Sequence, residues 1–163
     1  MSRQRICIGV IGGATASEQN YTMAYELGTH IAARGAVLVC GGLGGIMEAV
    51  SKGVYDNGGT AMGILPGTDK TSANPFITVA VPTGMGIARN TLVVRASDVL
   101  IAFPGSYGTL SEIAFALASE KTVVYLPGSW NLKKIAPVDA ARFKEAFDAR
   151  HAIGVALGAA GTA

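Results

Sequence analysis

Four short apolar runs in this chain each stop at a glycine-bearing turn, and that pattern constrains the fold more than any other feature. Ile6–Ile11 ends at Gly12-Gly13, and Val37–Cys40 ends at Gly41-Gly42-Leu43-Gly44-Gly45. Ile77–Val81 ends at Thr83-Gly84, and Val99–Phe103 ends at Pro104-Gly105-Ser106-Tyr107-Gly108-Thr109. Ala61–Leu65 and Val123–Leu126 are two further runs of the same kind. Unbroken apolar runs lack the in–out alternation of a half-exposed sheet, so they read as parallel strands covered on both faces. Helix-like segments separate them. Ala24, Leu27, Gly28, Ile31 and Ala32 recur at helical spacing after an N-cap at Ser17 or Asn20, and Gly35 closes that helix. Ile46–Asn57, Met85–Ala96, Leu110–Ser119 and an amphipathic Val138–Arg150 follow. Such alternation predicts an α/β domain, a Rossmann-like doubly wound parallel sheet with helices on both faces. Ligands on such sheets bind beyond the carboxyl ends of the strands, where these glycines collect.

A length of 163 residues suits one domain over residues 1–163, with a core over about 5–150 and a small, featureless tail after Gly154. Only 15% of the residues are charged, against about 25% in a typical domain. That scarcity points to apolar surface covered by another subunit. A net charge of +2, with no basic stripe, argues against nucleic acid as a partner. No apolar run approaches the ~20 residues of a membrane span. Cys7 and Cys40 lie inside apolar runs, which predicts reduced, buried thiols and a cytoplasmic protein.

The stretch Val99–Ser119 carries the chemistry. A glycine-rich turn between a strand and a helix leaves the N–H groups of the helix's first turn free for an anion such as phosphate. Thr109 adds a hydroxyl. Glu112 has two readings: a negative charge favoured at the helix start, or a group facing a less negative part of the ligand. Tyr107 is placed either to stack on a ring or to face solvent.

Several ligand classes drop out. A dinucleotide fold expects G-x-G-x-x-G after the first strand and an acidic residue after the second; here the strands end in Gly-Gly-Ala-Thr-Ala-Ser and Cys-Gly. No P-loop motif occurs, and His30 and His151 are too far apart in sequence to suggest a metal site.

Gly41-Gly42-Leu43-Gly44-Gly45-Ile46-Met47 resembles the first glycine motif of the LOG (Lonely Guy) superfamily, and Pro104–Glu112 resembles its PGGxGTxxE motif with Ser106 at the second glycine. Arg89 matches the arginine of that family's Arg-Lys pair. The resemblance covers roughly Ile6–Leu126. It implies binding of a nucleoside 5'-monophosphate or similar ligand and, in the enzymes, cleavage of its N-glycosidic bond with Arg89 and Glu112 as the catalytic pair. Three departures lead away from the enzymes. The pair is Arg89-Asn90, PGG is Pro104-Gly105-Ser106, and the helix after Glu112 is short. The Arg-Asn pair, the run Gly108-Thr109-Leu110-Ser111-Glu112-Ile113-Ala114 and the short helix look more like the molybdenum cofactor carrier branch, whose members hold the phosphorylated pterin without turning it over. The resemblance thus implies a carried molybdenum cofactor, no catalytic cofactor and a homo-oligomer. LOG-type phosphoribohydrolase activity is the alternative. The glycine-bearing turns and the motif matches together give the candidate ligand-binding set Gly12, Gly13, Gly42, Gly44, Gly45, Thr83, Arg89, Asn90, Gly105, Ser106, Tyr107, Gly108 and Thr109. The loop Ser129–Pro137 with Trp130 is a candidate lid or subunit contact.

Overall fold

The computed structural model describes residues 4–126, 128, 130–132 and 139–161. Seven parallel strands form one sheet: β1 (Cys7–Ile11), β2 (Val37–Cys40), β3 (Thr60–Leu65), β4 (Val79–Pro82), β5 (Val99–Ala102), β6 (Val123–Tyr125) and β7 (Phe143–Glu145). Their order is β4-β3-β2-β1-β5-β6-β7. The chain therefore builds outward from β1 to β4, then returns to the other side of β1 and builds the second half. The carboxyl ends of β1 and β5 flank the switch point. There Gly13 N–H donates to the Pro104 carbonyl at 3.1 Å, stitching the two turns together.

Helices α1 (Glu18–Ala33), α2 (Ile46–Asp56), α3 (Asn90–Arg95), α4 (Tyr107–Ala118) and α5 (Ala149–Ala160) cover the sheet. On one face Leu27 and Ile31 of α1, Val50 and Val54 of α2 and Ile153 of α5 pack on Ile8, Val10, Leu38 and Ile101. On the other, Val93 and Val94 of α3 and Ile113 and Ala116 of α4 pack on Ile11, Val39, Leu100 and Tyr125. Ser17 starts α1 by accepting from Asn20 N–H at 3.2 Å. Helices α1 and α2 approach closely at Gly28 and Gly53. A Cβ on Gly28 would lie 2.3 Å from the Val50 carbonyl oxygen, and one on Gly53 would lie 2.1 Å from that of Tyr25.

The largest departure from the sequence reading is at the C-terminal end. Val138 lies outside the described residues, and the rest of the expected Val138–Arg150 helix divides into β7 and the start of α5. Phe143 is buried against Tyr125, with ring centroids 5.8 Å apart, and β7 pairs with β6 through Val123↔Phe143. Burial of that ring and completion of the ladder outweigh the local helical pattern. Arg142 accordingly precedes the edge strand and Lys144 lies on it: Arg142 is within ion-pair distance of Asp139 and Glu120, and Lys144 donates to the Ala140 carbonyl. Asp148 then caps α5 by accepting from His151 N–H at 2.7 Å. The helix continues past Gly154 to Ala160, where a featureless tail was expected, because Ala152, Ile153 and Ala156 are buried in the core. The expected Met85–Ala96 helix is a 3-10 turn, Gly86–Arg89, followed by the short α3. Cys40 is buried, whereas Cys7 is half-buried. The candidate lid, Ser129–Pro137, lies mostly outside the described residues.

Candidate functional site

Helix α4 begins at Tyr107, three residues before the start read from the sequence, with Ser106 as its N-cap. Gly108 and Thr109 thus fall in its first turn, where backbone N–H groups have no intrahelical partner. Glu112 falls in the second turn, beyond the reach of an N-cap, which removes the helix-start reading of its charge. Its spacing of three from Thr109 and four from Gly108 puts all three on one face of the helix.

That face forms one wall of a cleft of about 290 Å³ at the strand carboxyl ends. Polar groups on Arg89, Asn90, Ser106, Thr109 and Glu112 share it with an apolar surface from Val10, Ile11, Leu43, Met47, Pro66 and Ile87. The turn before α4 leaves no space for side chains. A Cβ on Gly105 would lie 2.1 Å from Thr109 Oγ1 and 2.9 Å from Gly13 N.

Arg89 and Glu112 are 8% and 7% exposed. The Arg89 guanidinium is held on two sides. Nη1 donates to Asn90 Oδ1, and Nη2 makes a long contact, 3.5 Å, with the Gly41 carbonyl. Its Nε is buried without a hydrogen-bond partner among the described residues. Such a donor is costly unless something completes it. Burial lowers the Arg89 pKa and the nearby Glu112 charge raises it, but a guanidinium stays protonated throughout. Burial pushes the Glu112 carboxyl up to about 7, and the attraction of Arg89 offsets only part of that. Close to neutral pH, Glu112 therefore exchanges between a carboxylate and a neutral hydrogen-bond donor. Burial also raises the Cys40 thiol, whose sulfur lies 3.6 Å from Ser51 Oγ, so it remains a neutral packing group.

The fold brings Gly12, Arg89, Asn90, Ser106, Gly108, Thr109 and Glu112 into this cleft. Gly13 and Gly105 line an adjoining hollow, together with Thr15, Ser17 and Asn20. Other expected residues lie off both. Gly42 (φ +74°) packs on Gly63 and Leu65, and Gly45 (φ +64°) caps α2 against Ala14. Gly44 sits beside the Ala14 carbonyl. The Thr83 hydroxyl is engaged in its own turn, donating to the Leu65 carbonyl at 2.7 Å and accepting from Met85 N–H. Tyr107 is 88% exposed. Sequence reasoning gave no site role to Gly41, although it belongs to the glycine run, and a Cβ there would lie 2.7 Å from Arg89 Nη2. Leu43, Pro66 and Ile87 were missed as well. Their only signal was proximity to strand ends and to Arg89.

The family model described as LDcluster4, SLOG cluster4 family, matches residues 5–153. The chain belongs to the SLOG cluster4 family. Among solved structures, this member resembles the molybdenum cofactor binding protein of Rippkaea orientalis with a TM-score of 0.90 and 34% identity, covering 96% of this chain and 98% of that one. It resembles the molybdenum cofactor carrier protein of Chlamydomonas reinhardtii with a TM-score of 0.89 and 34% identity, covering 97% and 99%. Among sequences, it is 37% identical over 116 residues to the cytokinin riboside 5'-monophosphate phosphoribohydrolase LOG of Oryza sativa subsp. japonica. That match takes in 68% of this chain and 47% of the rice enzyme, so the chain spans about half the length of that relative. The sequence reading of a LOG-like fold with the pattern of the carrier branch agrees with these matches. No helix among the described residues is long and apolar enough to cross a membrane.

Proposed function

We propose that this SLOG cluster4 protein binds a phosphorylated pterin, the molybdenum cofactor, in the cleft above α4 and acts as its carrier. The observation that carries this reading is the Arg89-Asn90 pair. Where the LOG pattern has a second cation, a buried neutral amide turns its oxygen onto the guanidinium. The α4 first turn and the Thr109 hydroxyl would hold the phosphate. Leu43, Met47, Pro66 and Ile87 offer an apolar wall for a flat ring. Full-length likeness to two proteins named for the molybdenum cofactor supports the same reading.

A second reading, LOG-type hydrolysis of a nucleoside 5'-monophosphate, is favoured by Glu112 and Arg89 sharing one cleft. An ionised carboxylate there would stabilise oxocarbenium character on the ribose, and the guanidinium would fork onto oxygens. Overnight incubation with AMP, read by chromatography, separates the two. Adenine released by the wild type and not by Glu112→Ala would establish hydrolysis and overturn the carrier reading. No adenine, with saturable binding of the molybdenum cofactor, is the expected result.

The same reading includes association between copies. Val79 and Val81 on edge strand β4, with Met85 and Ile87, leave apolar surface exposed in a chain poor in charge. Sedimentation showing a monomer at micromolar concentration would remove that part.

A further inference from the structure

We infer that the cleft takes up a proton together with its phosphorylated ligand, and that Glu112 is the group that receives it. The inference rests on the phosphate-binding reading above.

The argument is a charge balance inside one cavity. Among the described residues, the charged and titratable groups near Glu112 are few. Arg89, from the 3-10 turn, is the cation of the cleft wall, and Cys40, at the end of β2, is a buried neutral thiol near both. From α3 comes Asn90, a neutral amide. From β1 and the end of β3 come Val10, Ile11 and Pro66. An ionised Glu112 cancels Arg89 and leaves only the partial charge of the α4 N-terminus, about +0.5. A phosphate monoester carries roughly −1.5 to −2 at neutral pH. A dianion and an ionised, buried Glu112 on the same helix face repel each other. With Glu112 protonated, Arg89 is uncompensated and Glu112 itself becomes an O–H donor.

Two observations beyond charge support this. The Arg89 Nε–H is buried without a partner among the described residues, as expected of a donor that an acceptor on a ligand completes. The Asn90 Nδ2 atom lies 3.6 Å from where a Gly108 Cβ would stand, so the amide spans from the guanidinium to the first turn of α4. The cleft is thus rich in donors once Glu112 is neutral. Because the free carboxyl titrates near 7, the exchange falls at neutral pH. The ligand is held more tightly on the acid side and released on the alkaline side.

The test is titration calorimetry at pH 7.5 with the carbocyclic analogue of AMP. It lacks the ring oxygen and so is not cleaved through an oxocarbenium ion. Measuring in buffers of different ionisation enthalpy gives the proton count. A carboxyl of pKa about 7 is only about a quarter protonated at that pH, so the expected uptake is up to roughly 0.75 proton per ligand. Affinity should fall as pH rises above about 7.5, where the phosphate is already dianionic, by at most about tenfold per pH unit. Glu112→Gln should bind with no uptake and a flat profile. Binding without uptake by the wild type overturns the inference and leaves the phosphate site standing; this needs no variant. Uptake that persists in Glu112→Gln assigns the proton elsewhere and also overturns it. No binding of either the analogue or the molybdenum cofactor overturns the phosphate-binding reading, and this inference with it.

Discussion

Replacing Glu112 by Gln should make folding stability less dependent on pH. Gln keeps the shape of the side chain and removes its titration. In the wild type the carboxyl titrates near 4.5 when unfolded and near 7 when folded. Between those values the folded state binds more protons than the unfolded one, so stability falls as pH rises. Its contribution is fully present below 4.5 and is lost as pH passes through 7. At about 1.36 kcal/mol per pH unit, the whole effect is about 3.4 kcal/mol, an upper figure for a group that retains some solvent contact. Between pH 5.5 and 8.5 the loss comes to about 2 kcal/mol. In urea, with a slope of about 2 kcal/mol/M, the wild-type midpoint should fall by about 1 M more than that of the variant over this interval. Other titrating groups act on both proteins alike, so the difference isolates Glu112. Equal pH dependence in the two proteins would refute the assignment of a buried carboxyl held largely by desolvation.

Asn90→Lys places a second cation beside Arg89. It should tighten AMP binding and draw the Glu112 carboxyl back down, shrinking the loss of stability between pH 5.5 and 8.5; unchanged affinity would count against Asn90 as a ligand contact. Gly105→Ala forces a Cβ into Thr109 and the Gly13 backbone. It should cost about 1–3 kcal/mol and weaken binding of any phosphorylated ligand at least tenfold, and a wild-type affinity would show that the turn has slack. Asp148→Ala removes the side-chain acceptor for His151 N–H. A cost of about 1 kcal/mol, read by thermal unfolding with no change in ligand affinity, is the expected outcome.

Much of the architecture was legible because its signals are local. Apolar runs such as Val37–Cys40 and Val99–Ala102 admit few conformations other than a strand covered on both faces. The glycines after them mark the cleft at the strand carboxyl ends because close packing of the turns there excludes a Cβ, as at Gly105. Arg89, Asn90, Thr109 and Glu112 could be singled out from motif and spacing, and the fold does bring them to one cleft.

Strand β7 and the later start of α5 were not legible. The segment from Arg142 to Arg150 carries a helix-compatible pattern, and only the presence of β6 and the Tyr125 ring makes Phe143 a strand residue. The glycine run after β2 likewise gave no hint of which members face the cleft. Gly41 supports Arg89, while Gly42 and Gly45 serve the turn through positive φ. Composition and local pattern thus determined a parallel α/β sheet with glycine-rich turns at its carboxyl edge, because side-chain periodicity and glycine sterics act over a few residues. Tertiary structure alone decided that Glu112 is buried beside Arg89, that Asn90 occupies the guanidinium and that the carboxyl titrates near neutrality. Desolvation and charge pairing depend on which distant segments the folded chain brings within a few ångströms of each other.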